Sequence, residues 1–286
     1  KKATVVTFRD YQTICALSFC LWKNNKACSL VSYITKDYPF FYKHYVMNKN
    51  IIVFSILLVA ALRARLAQQI LKFFANRINK KVAVSKKVKD IFQKNGIKGL
   101  SVIHNPVLIS AKPQKSDDSI LYIGKFSPGK GVDVLARILP KLLKSLPASK
   151  FTLIGSGFLE EVIKSSVNDK NLKKRVTFTG QVTHKEALKY LGKAGLVIAP
   201  SIWPEPLPRS VIESLLSGVP VVATNSGGIE EVLPHGRYGL IAKPDEYSLR
   251  KSIIEGYKKR ATFRKRIIDN LQKLKISFSD QTVKAY

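Results

Sequence analysis

Acidic residues are scarce in this chain: 19 Asp and Glu stand against 49 Lys and Arg in 286 residues, a formal charge of +30. Such an excess argues against a cationic partner and for one that carries phosphate: nucleic acid, anionic lipid headgroups or phosphorylated small molecules. The shortage is greatest at the start. Residues 1–109 hold only Asp10, Asp37 and Asp90 against 19 basic groups, +16 of the total. Cysteine is nearly absent, and Cys15, Cys20 and Cys28 fit neither a CxxC pair nor a zinc set with histidines. They read as reduced packing residues of a cytosolic protein, and no metal or cofactor is expected. Long apolar runs are missing too. The longest, Ile51 to Leu62 (IIVFSILLVAAL), falls short of the ~20 residues that span a bilayer. It reads as a buried helix or strand, with a membrane-surface element flanked by Lys49, Arg63 and Arg65 as the alternative. No initiating Met, signal peptide, repeat or low-complexity segment is visible, and the chain reads as a segment of a longer protein.

What is present is enough apolar content, 45%, to bury a core, arranged in a repeating rhythm. Short runs at Val5–Phe8, Lys81–Val84 and Leu100–Ile103 alternate with helical patterns such as Arg65 to Asn79. Residues 103–119 then turn polar and carry two prolines, the composition of a linker. After them the alternation restarts, with strands expected at 120–124, 151–155, 176–180, 196–200 and 219–224. Helices are expected between them, with a last one from about Ser248 to the end. Four- to six-residue strands alternating with helices mean doubly wound parallel sheets that bind ligands at the strand C-termini. The expected fold is α/β, with two Rossmann-like domains facing across a cleft. Residues 1–108 are expected to form an incomplete first domain, 109–119 a linker and 120–286 the second domain, with a return of its last helix toward the first as an option.

Three stretches carry chemistry. In GKFSPGKG (124–131) a strand ends at Gly124 and a helix starts after Gly131, so backbone N–H groups with Lys125 and Lys130 could hold a diphosphate; a solvated turn with surface lysines is the plainer alternative. Gly155-Ser156-Gly157 permits a second close backbone approach, or is simply turn chemistry. The third, SIWPEPLPRSVIESLLSG, delivers Ser201 and Glu205 to a strand end and starts a helix near Pro208. Glu213 lies in that helix, where an i,i+4 pair with Arg209 also accounts for it. Glu205 has no helical partner, and a carboxylate fixed in a proline-locked loop suits sugar hydroxyls. With the amides of Leu207 and Arg209 aimed at an anion, the set has the polarity of a nucleotide sugar.

From Ile120 to about Leu240 the chain resembles the nucleotide-binding domain of family 4 glycosyltransferases, which have the GT-B fold and an E-x7-E motif. The motifs follow in order: GKFSPGKG for the usual G-R-L-x-x-x-K-G, LIGSG, VTFTGQV, APSIWPEP and ESLLSGVPVVATNSGGIEEV. VVTFRDYQTIC and VAVSKKVKDIF followed by VIHNPV resemble parts of the first domain. The resemblance implies a GT-B type fold and a retaining, metal-independent transferase. In it Lys125 and Lys130 hold the donor diphosphate, Glu205 the transferred sugar and Glu213 the ribose. Gly124, Gly157 and Ser201 line the donor site, Val182 lies near the base, and Pro206, Leu207, Pro208 and Arg209 lie near the phosphates. It implies a nucleotide-sugar donor, a glycan or lipid-linked acceptor and, with the basic N-terminal region, an anionic membrane surface on the cytoplasmic side.

Three positions depart from the family. Lys125 replaces Arg, turning a bidentate grip into a point charge. Pro208 replaces a frequent Gly and removes one N–H. Arg9 stands where relatives have a His over the donor sugar; arginine can bind phosphate but cannot exchange a proton near neutral pH, and a scaffold role is its alternative. His44, His104, His184 and His235 are expected to be turn or surface residues. A non-catalytic nucleotide-sugar binder remains a competing reading. A nucleic-acid binder is another, weakened by the lack of aromatics interleaved with Lys and Arg, and no nucleic acid is expected as partner. A dinucleotide oxidoreductase lacks its GxGxxG.

Overall fold

The computed structural model describes residues 4–15, 34, 38–42, 50–107, 109, 113–117 and 119–283. The chain divides into two units, Lys1–His104 and Asn105–Tyr286.

In the first unit, strands β1 (Val5–Phe8), β2 (Lys80–Ala83) and β3 (Leu100–Val102) form a parallel sheet in that order. Between β1 and β2 runs helix α1 (Ile51–Arg77), started by the Asn50 side chain, which accepts the N–H of Ile52. The apolar run and the helical pattern that follows it are therefore one helix, because Arg63 and Arg65 are good helix formers and do not interrupt it. The expectation of a buried element too short to cross a membrane is corrected: α1 is long and apolar enough to do so. Only Gln68 and Ala75 on it are fully buried, while Ile52, Ile56, Val59, Leu66, Ile70 and Phe73 are exposed. Its inner side is tied down by Tyr38, whose hydroxyl donates to the Phe54 carbonyl at 2.8 Å, and by Gln68, which donates to the Gln12 carbonyl at 2.7 Å. Helix α2 (Lys86–Lys94) then packs Val88, Ile91 and Phe92 under the sheet. Cys15 is buried and disulfide-bonded, which corrects the reading of it as a reduced thiol. Spacing excludes CxxC and zinc sets but not a crosslink, which needs only two Cβ atoms about 4 Å apart. Cys20 and Cys28 lie outside the described residues.

In the second unit six parallel strands, β4 (Ile120–Ile123), β5 (Phe151–Ile154), β6 (Val176–Gly180), β7 (Leu196–Ala199), β8 (Val221–Thr224) and β9 (Gly239–Ala242), pair in the order β6-β5-β4-β7-β8-β9. Numbered within the unit this is 3-2-1-4-5-6, the doubly wound order whose direction reverses between the first and fourth strands. One face is covered by α3 (Val132–Ser145) and α7 (Glu246–Lys258), whose Leu135, Leu139, Leu249 and Ile253 bury against Ile120, Leu153 and Val222. The other is covered by α5 (His184–Lys193), α6 (Arg209–Leu216), α8 (Arg260–Asp269) and α9 (Leu271–Val283). Helix α4 (Glu160–Ser165) is a short helix after β5. Strand β9 has no counterpart in the sequence reading, and the single terminal helix resolves into α7, α8 and α9, separated at Lys259 and Asn270. Described parts of the expected linker lie against this unit: Val107 is buried and donates its N–H to the Phe278 carbonyl at 3.0 Å, and Asp117 donates to the Lys193 carbonyl at 2.8 Å.

Candidate active site

The reversal of strand order leaves a crevice at the C-terminal ends of β4 and β7, and the predicted motifs leave the sheet there. After β4 the chain runs through Gly124 and Lys125 into a single 3-10 turn, Pro128–Lys130, and Gly131 opens α3 with φ +70°. A Cβ at Gly131 would lie 1.9 Å from the Pro200 carbonyl oxygen, so only glycine lets these two loops touch. The contact is reinforced by the Gly129 carbonyl, which accepts N–H bonds from Ile202 and Trp203, both at 3.1 Å.

This apposition carries Lys130 to Glu205. The ammonium Nζ lies 2.5 Å from Oε1, and the buried Ser201 hydroxyl donates to the same oxygen at 2.6 Å. From behind, the Gly228 N–H donates to the Glu205 carbonyl at 2.7 Å, and a Cβ at Gly227, whose φ is +64°, would meet that carbonyl at 2.1 Å. Three loops thus hold one carboxylate, with its side chain only 12% exposed and that of Lys130 39% exposed. Around the pair lies a cavity of about 200 Å³, walled in part by Tyr122, Gly124, Ser201, Leu207, Pro208 and Arg209. Pro208 precedes α6 and no side chain caps that helix, so the Arg209 and Ser210 N–H groups at its start have the capacity to donate to an anion.

A wider, open cavity of about 660 Å³ shares the Ile123–Gly124 wall and adds Lys125, Gly155, Gly157, Gln181 and Val182. Gln181 closes one side by donating to Ser156 Oγ at 2.7 Å. Of the predicted set, Arg9, Pro206 and Glu213 are not among the residues lining either cavity. Arg9 belongs to the first unit, exposed just after β1.

Glu213 is buried on α6, and its Oε1 accepts from Arg209 Nε at 2.8 Å and from His184 Nε2 at 3.0 Å. The i,i+4 pair is therefore present, and His184, expected as a turn or surface residue, is also a partner of this carboxylate. The tertiary contact between α5 and α6 brings the two together across 29 residues, which spacing along a single helix cannot reveal. His235 instead accepts the Ile241 N–H through Nδ1 at 3.0 Å. Sequence reading also missed Tyr122, which lies beneath Gly124 and donates its hydroxyl to the Lys125 carbonyl at 3.0 Å. Its pKa is raised, first by burial and then by the negative charge of Glu205. The only sequence signal for it was a polar-tipped aromatic in an otherwise aliphatic strand. Among the described residues no group of three or more His, Cys, Asp and Glu could hold a metal ion.

The family model for "Glycosyl transferases group 1" matches residues 109–274, more than half of the chain. The chain belongs to the group 1 glycosyltransferases. Similar curated members include 2-deoxystreptamine N-acetyl-D-glucosaminyltransferase of Niallia circulans, 28% identical over 46% of this chain and 33% of the relative. Glycogen synthase of Mycobacterium tuberculosis is 26% identical over 66% of this chain and 47% of its own length. The chain thus spans a third to a half of these relatives. Among solved structures, S. aureus TarM, crystallised with fondaparinux, alpha-GlcNAc-glycerol and UDP, superposes with a TM-score of 0.66 at 23% identity, over 76% of this chain and 45% of TarM. Anabaena HepE in complex with UDP and glucose gives 0.65 at 22%, over 76% and 65%. The fold of this group 1 glycosyltransferase is α/β of the GT-B type, built on Rossmann-like parallel sheets.

Proposed function

We propose that this group 1 glycosyltransferase moves a sugar from a nucleoside-diphosphate-sugar to a glycan or lipid-linked acceptor, with retention of configuration and without a metal ion. The observation that carries the reading is the Lys130–Glu205 pair, a cation and a carboxylate held at the strand switch point by three loops. Lys130 and Lys125 stabilise charge on the departing diphosphate, where preorganised cations act most strongly. The carboxylate of Glu205 accepts the transferred sugar's hydroxyls, and Glu213 those of the ribose. The first amides of α6 face the phosphates and the Val182 loop the base. Arg9 is assigned to the donor's phosphate or sugar. The complexes of TarM and HepE with UDP support UDP as the first ligand to test. Thermal scanning of the chain against UDP, GDP and ADP should raise the melting temperature for one of them; no shift with any would overturn the donor reading. Binding without transfer to any glycan acceptor would favour the non-catalytic alternative raised by Arg9.

The acceptor side is assigned to the cytoplasmic membrane face. In support, residues 1–109 carry +16, and α1 presents Ile52, Ile56, Val59, Leu66, Ile70 and Phe73 outward with Arg63 and Arg77, a pairing of apolar and cationic surface that suits anionic lipid. Sedimentation with vesicles should show stronger binding to phosphatidylglycerol than to phosphatidylcholine at moderate salt. Equal binding would remove the membrane part and leave the enzyme reading standing.

A further inference from the structure

Glu213 is held from two helices, and only one of them was legible in sequence. Arg209 reaches it along α6 with a side chain that is 65% exposed. His184 reaches it from the first residue of α5. That residue is fixed in place by a reciprocal cap: the Glu186 N–H donates to Thr183 Oγ1 at 3.3 Å, and the Thr183 N–H donates to Glu186 Oε2 at 2.9 Å. A carboxylate only accepts, so the imidazole Nε2–H is the donor, and a neutral ring donates it without adding charge. Both bonds end on Oε1, so Oε2 is the oxygen with acceptor capacity to spare. Position agrees with this. Val182, two residues before His184, lines the wider cavity and Arg209 lines the narrower one, so the His184–Glu213 contact ties one cavity wall to the other.

We infer that His184 is a positioning residue that aims Glu213 at the ribose hydroxyls of the donor; this rests on the role given to Glu213 above. Acting through Glu213, it sets donor affinity rather than the rate of the chemical step. Because it acts through hydroxyl recognition, its loss matters only for a nucleotide that has those hydroxyls.

The test is calorimetric titration of the full chain with UDP and with 2′,3′-dideoxyuridine diphosphate, and with the GDP and ADP pairs if one of those binds instead. His184→Ala should weaken the ribonucleotide about tenfold, the loss of one charge-assisted hydrogen bond, and leave the dideoxynucleotide unchanged. His184→Gln, which restores an N–H donor, should recover most of the loss. On a Glu213→Gln background His184→Ala should add nothing further. Equal losses for both nucleotides would show a merely structural role and overturn the inference, as would unchanged binding of the ribonucleotide. Failure of the unaltered chain to bind any of the three ribonucleotides would overturn the donor reading itself.

Discussion

Lys130 and Glu205, 75 residues apart in sequence, meet at 2.5 Å over the strand switch point, with the Ser201 hydroxyl on the same carboxylate oxygen. An ion pair with one solvent-exposed partner contributes little to stability, and Lys130 is more than a third exposed while Glu205 is largely covered. On the donor reading proposed above, its value is in recognition: a diphosphate that drew Lys130 away would release Glu205 for the sugar hydroxyls.

Lys130→Ala is expected to weaken nucleoside-diphosphate binding by ~1.5 to 3 kcal/mol, the value of a hydrogen bond to a charged group, with little change in melting temperature. Titration calorimetry decides it, and unaltered affinity for the diphosphate would remove Lys130 from the leaving-group role.

Glu205→Gln should nearly abolish transfer while the protein still binds the free nucleoside diphosphate, because the proposed role places the carboxylate on the sugar. Glu213→Gln should mainly raise the donor KM. Steady-state kinetics with varied donor separates the two, and a kcat loss confined to Glu213→Gln would reverse the assignment.

Gly131→Ala should cost at least about 2 kcal/mol, since the new Cβ meets the Pro200 carbonyl at 1.9 Å in a left-handed backbone. Gly180→Ala shares the positive φ, +69°, but meets nothing within 4 Å, so it should cost only the conformational ~1 to 2 kcal/mol. Urea unfolding of the two variants side by side measures the difference, and equal losses would mean that the loop contact is not tight.

Acid should destabilise the second unit through its helix caps. Asp245 accepts the Ser248 N–H at 2.8 Å, and Glu186 accepts the Thr183 hydroxyl at 2.7 Å; these bonds are the leading causes that lower both pKa values. A folded-state pKa below the unfolded one means stabilisation that is present above about pH 4 and lost as pH falls through the folded value. Replacing both by their amides, Asp245→Asn and Glu186→Gln, should flatten that part of the stability profile between about pH 5 and 3. An unchanged acid limb would contradict the role of the caps.

Much of the second unit was legible because strands buried on both faces read as short aliphatic runs, as ILYI and VVAT do. Strand β9 escaped notice because GLIA is short and begins with glycine, and it becomes a strand only through its pairing with β8, Val221 opposite Gly239. The breaks at Lys259 and Asn270 were hidden for the opposite reason: neither residue is a Gly or Pro, and local chemistry allows the helix to continue through both. In the first unit, residues 51–62 read as core from their composition, yet α1 leaves half of them exposed and buries none. Burial depends on what packs against a helix, and composition does not carry that. The loop with Ser201, Glu205 and Pro208 was readable as a site because its prolines and lone carboxylate had no local use.

The order of the motifs, the glycine at position 131, the cationic excess and the polarity of the site are properties of the sequence alone, since each follows from residue type and near-neighbour spacing. Which groups touch was decided by the tertiary structure. Lys130 meets Glu205 because β4 and β7 lie side by side in the sheet, and His184 meets Glu213 because α5 packs on α6. Such contacts join residues 75 and 29 positions apart, and only the winding of the sheet brings them within the 3 Å over which a carboxylate accepts a proton donor.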